Sequence, residues 1–266
     1  MKTAFCLLTL SSIVLCNACS PEEEKKLNVV LFLVDDMGWT DVGCYGSTVY
    51  DTPNIDRFAK EGVKFTSAYA ACHVCSPTRA SLMTGKYPAT LHLTDWLPGR
   101  RDYPFQQLLN ADINQHLPFE ETTIAEVLKD HGYSTAIFGK WHLGDTPSGP
   151  LNHGFDKHVP ENWNHCCPPR SGYQAPWEMM EGLEYEEGDY LTDRLTDEAL
   201  KYIEQHKEDP FFLYLSHFAV HDPIDGRPDL VEKYEKQFQQ MEPVDIVPFI
   251  LEENPDDETD FTRDEL

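Results

Sequence analysis

Three clusters of reactive side chains stand immediately after apolar runs. Asp35-Asp36 follows Val29 to Val34, Gly139-Lys140-Trp141-His142 follows Thr135 to Phe138, and Ser216-His217 follows Phe211 to Leu215, with His221 just beyond. Adjacent carboxylates repel each other and lose solvation unless a cation or hydrogen-bond donors offset this. A hard divalent ion does so, although aspartates also cap ordinary turns. A fourth cluster is Cys75-Ser76-Pro77-Thr78-Arg79. Ser76 suits an N-cap and Pro77 the first helical position, which predicts a helix from Thr78 to Met83 ending at Gly85. Cys75 then precedes a helix N-terminus, where the dipole favours negative charge, and Arg79 lies in the first turn, able to reach an oxyanion. By themselves these residues describe an activated thiolate. Cys72 and Cys75 also have the spacing of a redox pair or half a zinc site, but no second such pair exists to complete a zinc site. His92, Trp96, Arg100 and Arg101 form a further cluster around a Pro98-Gly99 turn. An aromatic face with cations suits a ligand ring that carries negative charge, while a packed surface loop explains the same residues.

The elements that must position these groups are legible in the pattern. The three apolar runs have the length and composition of buried parallel strands. Between them, Thr52-Pro53 opens a helix with an Ile55, Phe58, Ala59 stripe ending at Gly62. Thr123-x-x-Glu126 is a capping box for a helix that ends at His131-Gly132, and Leu195, Ala199, Tyr202 and Ile203 mark an amphipathic helix. Strands alternating with helices predict an α/β fold: a doubly wound, mostly parallel sheet with helices on both faces. Such sheets bind ligands at the carboxyl ends of their strands, so the reactive clusters are expected to converge on one site. Residues from Arg227 onward are acidic with scattered prolines and read as helix and loop outside the sheet core.

The chain has 266 residues, 41% of them hydrophobic, enough for one sizeable α/β domain. With 46 acidic residues against 21 basic, its formal charge of -25 argues against nucleic acid as a partner. An anionic substrate would need a locally basic pocket in this acidic whole. Residues 1–18 read as an export signal: Lys2 precedes an apolar run from Ala4 to Leu15 that is too short to span a bilayer. Leu15-Cys16-Asn17-Ala18-Cys19 resembles a lipoprotein signal with Cys19 as the lipidated residue, and residues 19–26 form a polar tether. The expectation is an exported, periplasmic or cell-envelope lipoprotein of a bacterium, touching membrane only through a lipid anchor. Residues 27–266 are expected to form the one domain that carries the reactive clusters. Adjacent Cys166 and Cys167 are not expected to bridge each other.

Cys75-x-Pro77-x-Arg79-Ala80-Ser81-Leu82-Met83-Thr84-Gly85 resembles the signature of the type I sulfatases, in the alkaline phosphatase superfamily. Asn28 to Asp36 with Gly38, Thr52 to Asp56, Gly139 to Gly144, and Phe211 to Pro223 are similar to other blocks of that family in the same order. The resemblance covers about Leu27 to Ile224. It implies an alkaline phosphatase-like fold and hydrolysis of sulfate esters of a carbohydrate or an aryl alcohol. It also implies a formylglycine made from Cys75 by a formylglycine-generating maturation enzyme, and Ca2+ on Asp35, Asp36 and the modified Cys75. Arg79 would neutralise the site, Lys140 and His221 would contact sulfate, and His142 would orient or deprotonate the nucleophile. His92 and Trp96 would contact the sugar.

The family carries further calcium ligands and a lysine after the third-strand block, and no Asp-Asn or Asp-His pair follows His221 here. The chain is therefore expected to be truncated at its C-terminal part. Asp35, Asp36 and one nucleophile oxygen fall short of the roughly six to eight oxygens calcium takes. A weakly active or inactive fragment that binds sulfated glycans is one alternative. A related phosphoric ester hydrolase is another, though that class places Thr or Ser at the nucleophile. A thiol oxidoreductase gives Pro77-x-Arg79 no role.

Overall fold

The computed structural model describes residues 26–240. The signal sequence, Cys16, Cys19 and residues 241–266 lie outside the described residues. Four strands form one parallel sheet: β1 (Val29–Val34), β2 (Ser134–Gly139), β3 (Lys157–Val159) and β4 (Phe211–His217), in the order β1-β4-β2-β3. The three expected strands are present. The three-residue β3 adds an edge that its length hid in the sequence.

Alternation along β2 and β4 divides the core into two layers. Ala136, Phe138, Phe211 and Leu213 pack with Leu191, Leu195, Ala199 and Tyr202 of α4 (Leu191–His206). On the other face, Ile137, Phe212 and Tyr214 pack with Ala80 and Met83 of α2 (Cys75–Thr84) and Ala125 of α3 (Ile124–Asp130). Helices therefore cover both faces. The α3 capping box forms as expected: Glu126 N donates to Thr123 Oγ1 at 3.1 Å and Thr123 N to Glu126 Oε2 at 2.7 Å.

Three local expectations need correction. Helix α2 begins at Cys75, not Thr78, with Val74 in extended backbone at the N-cap position. Ser76 does not cap it, because its Oγ accepts from Leu97 N across the site loop at 3.2 Å. Thr52 precedes α1 (Pro53–Glu61) without a side-chain cap, since its hydroxyl accepts from Gly43 N and donates to Asp56 Oδ1. Strand β1 is half-covered rather than buried. Its Leu31 and Leu33 meet the α2 layer, but Val30 and Phe32 on the α4 side are 51% and 52% exposed among the described residues. The α1 stripe likewise buries nothing: Phe58 is exposed. Helix α5 (Pro228–Phe238) lies outside the sheet, fastened to residues 49–51 by Lys233, Tyr234 and Gln237.

Candidate active site

Strand register brings the reactive clusters to one edge. Val34 pairs with His217, and both Leu33 and Gly139 pair with Ser216, so the three strands end level. The ladder continues one step: Asp35 N donates to Ala219 O, Val220 N to Asp35 O, and Lys140 N to Ser216 O. Gly139 is required there. At its φ of +107°, a Cβ would lie 1.9 Å from Ser216 O, so only glycine lets β2 end against β4.

Asp35, 6% exposed, accepts a 2.9 Å bond from Arg79 Nη2 on one carboxylate oxygen and a bond from Lys140 Nζ on the other. Arg79 and Lys140 are themselves buried. Arg79 Nη1 also donates to Lys140 O at 2.8 Å, to Ser216 Oγ at 2.6 Å and to Tyr214 Oη at 3.3 Å. Burial would raise the Asp35 pKa, but Arg79 and Lys140 together outweigh it and hold the carboxyl below its usual range. Burial, with Arg79 close by, pushes Lys140 down.

The Cys75 thiol, at the first turn of α2, lies 3.1 Å from His142 Nδ1. His142 Nε2 lies 2.9 Å from Leu97 O. A carbonyl can only accept, so Nε2 carries the proton and Nδ1 presents its lone pair to Cys75. Burial, then Lys140, lowers the His142 pKa to about 3, so this imidazole is neutral at ordinary pH. His142 and Asp36 both adopt left-handed backbone, φ 52° and 58°, a conformation that costs non-glycine residues about 1–3 kcal/mol and clusters at functional sites.

Asp36 and His221 complete the rim, with His221 Nε2 3.8 Å from Asp36 Oδ2. Asp35, Asp36 and His221 each offer a ligand atom within 4.8 Å of the others. Two hard carboxylates fit a divalent cation such as calcium; the imidazole is a softer donor. His217 is separated from this group. It packs edge-on against Phe32 at 5.3 Å on the α4 side.

The structure thus gathers Asp35, Asp36, Cys75, Arg79, Lys140, His142 and His221. It does not bring in His92 or Trp96: neither forms a hydrogen bond, ion pair or ring contact with the cluster, and His92 is exposed. The same loop instead contributes the backbone of Leu97. Tyr214 and Leu97 had no sequence signal, because one reads as a core strand residue and the other acts through its carbonyl. The expectation for Cys166 and Cys167 is overturned: they are disulfide-bonded to each other. Their shared turn brings the two sulfurs together, where an extended backbone would point them to opposite sides. Cys44, Cys72 and Cys75 are free thiols, so Cys72 and Cys75 are not bridged.

The Sulfatase family profile matches residues 27–252. N-acetylgalactosamine-6-sulfatase of Mus musculus is 39% identical over 82% of this chain and 44% of its own length. Arylsulfatase A of Homo sapiens is 31% identical over 80% of the chain and 45% of its own. The chain therefore spans less than half the length of these curated relatives. Among solved structures, Ps i-CgsB in complex with k-i-k-neocarrahexaose is 32% identical with a TM-score of 0.65, covering 80% of this chain and 49% of that one. BT4656 in complex with its substrate D-glucosamine-2-N,6-O-disulfate is 27% identical with a TM-score of 0.64, covering 83% and 40%. A parallel sheet whose strand ends carry these residues, matched over most of its length by one profile and by relatives of one kind, leaves a single family: the chain belongs to the sulfatases of the alkaline phosphatase superfamily.

Proposed function

We propose that this chain carries the sulfate-binding and nucleophile-bearing part of a sulfuric ester hydrolase acting on a sulfated carbohydrate. The observation that carries this reading is the Cys75 thiol at a helix N-terminus, 3.1 Å from a neutral His142 and beside the buried cations Arg79 and Lys140. That arrangement attracts an anion and gives its nucleophile a base. The complexes of BT4656 with D-glucosamine-2-N,6-O-disulfate and of Ps i-CgsB with k-i-k-neocarrahexaose, together with the name N-acetylgalactosamine-6-sulfatase, support a carbohydrate substrate.

In this reading Cys75 is oxidised to formylglycine by a separate maturation enzyme and hydrated to a geminal diol. His142 Nδ1 takes a proton from one hydroxyl as its oxygen attacks sulfur. Lys140 and His221 contact the sulfate oxygens, and one of them donates a proton to the departing alcohol. After His142 has released that proton to solvent, it takes the proton of the second hydroxyl; the carbon–oxygen bond to sulfate breaks as the aldehyde re-forms, a step that a cysteine or serine cannot perform. Asp35 and Asp36, with His221 within reach, would hold calcium. When bound, the ion supplies Lewis-acid stabilisation of charge on oxygen and lowers the pKa of the attacking hydroxyl. Lys2 and the apolar run to Leu15 support export, with Cys19 as the lipid-bearing residue.

The test is mass spectrometry of the tryptic peptide 65–79 after co-expression with a formylglycine-generating enzyme. A loss of about 18 Da is expected for thiol replaced by aldehyde. A peptide that keeps its thiol beside a competent maturation enzyme would overturn the formylglycine reading and favour a non-catalytic glycan binder.

A further inference from the structure

A cavity of about 520 Å³ opens beside His142, between the Leu97-Pro98 turn, Gln115 to Phe119 and the Gly144 to Ser148 loop. Cys75 does not line it. His142 stands between the two, with Nδ1 toward Cys75 and Nε2 on Leu97, another lining residue. His142 is thus shared by the nucleophile and the cavity wall, so an occupant of the cavity lies beside the nucleophile's partner.

The walls have the chemistry of a sugar site. Phe119 stacks on His153 at 5.2 Å and keeps 49% of its surface exposed, with His116 tilted against it at 5.8 Å. Asn164 is 6% exposed, and its Oδ1 is buried without a hydrogen-bond partner. Its backbone carbonyl accepts from His142 N at 3.1 Å, so the cavity wall and the nucleophile's partner share one support. No lysine or arginine lines the cavity among the described residues, while the Asp145 carboxylate does, 3.9 Å from His165. A second sulfate or a uronate carboxylate would lose its hydration there without a counter-ion and face Asp145.

We infer that this cavity receives the sugar next to the sulfated one, and that this neighbour is an uncharged ring stacked on Phe119 and His116 and bonded by Asn164. The inference rests on the sulfatase reading above and narrows it to glycans in which a sulfated unit adjoins a neutral one.

Calorimetric titration of the full chain, with Cys75 unconverted and calcium present, tests it. The probes are a monosulfated monosaccharide, the same sugar joined to a neutral sugar, and that disaccharide with a second sulfate on the neighbouring ring. The neutral neighbour is expected to tighten binding about tenfold. F119A removes that gain and leaves the monosaccharide unchanged. The doubly sulfated disaccharide gains nothing on the wild type but binds more tightly to D145K, a change at a solvent-exposed position. Equal binding of the first two probes, an F119A effect on both alike, or preference for the doubly sulfated probe would each overturn the inference. No binding of the monosaccharide itself would overturn the sulfate-binding reading instead.

Discussion

A single carboxylate, Asp35, faces two buried cations. Its removal leaves Arg79 and Lys140 desolvated without their counter-charge, and truncating one member of a buried ionic group costs about 3–5 kcal/mol. D35A is therefore expected to lose about that much in urea denaturation. A loss under about 1 kcal/mol would mean that Ser216, Tyr214 and the Lys140 carbonyl suffice for Arg79 and that the Lys140 amine is neutral once Asp35 is gone. His142 makes a second residue-level case. With its pKa near 3, it should show the neutral, Nε2-protonated tautomer from pH 5 to 8 in nitrogen NMR. A titration near 6.5 would contradict the buried, Lys140-repelled environment and remove the argument for a neutral base. His217 sits nearer the strand end than His221, but strand parity turns it to the α4 face, while His221 lies beyond the strand and reaches Asp36.

At the scale of elements, the site depends on β2 and β4 ending level. Gly139 is the position where that alignment is most exposed to test. G139A would place a Cβ against Ser216 O in left-handed backbone, so it is expected to destabilise by at least about 3 kcal/mol. Because Lys140 follows directly, anion affinity should fall as well, which thermal melts with and without sulfate would separate. Unchanged stability would mean the strand ends can part without cost. The helices teach a different lesson. The α3 cap forms as its local sequence predicts, whereas Thr52 and Ser76 are drawn into bonds with Gly43 and Leu97. Capping propensity is a local preference of about 1 kcal/mol, and a better tertiary partner redirects it.

For the molecule as a whole, buried neutral histidines couple stability to pH. Burial lowers both His158 and His217 to about 4. Unfolded, each titrates near 6.5, so between these values the unfolded chain binds more protons. Stability is accordingly full above about 6.5, falls as the pH drops, and has lost this contribution at about 4. Each histidine accounts for up to roughly 3 kcal/mol. H217F keeps the ring packed against Phe32 and removes one titration, so its urea midpoint should fall less steeply between pH 6.5 and 4. A parallel slope would show that His217 is not neutral in the fold. No helix among the described residues is long and apolar enough to cross a membrane.

Short-range pattern was enough for three of the four strands, for the helices that cover the sheet, for the reactive strand ends and for the family resemblance. Apolar runs, caps and signature blocks lie within a few residues of one another, where propensity and periodicity act. Tertiary structure alone decided which groups meet. Arg79 bonds to Asp35 44 positions away, to the Lys140 carbonyl 61 away and to Ser216 137 away. The strand order β1-β4-β2-β3, the half-covered β1, the Leu97 carbonyl on His142 and the cavity walls have the same origin. Each depends on segments distant in sequence becoming neighbours once both sheet faces are packed, and no local pattern encodes that proximity.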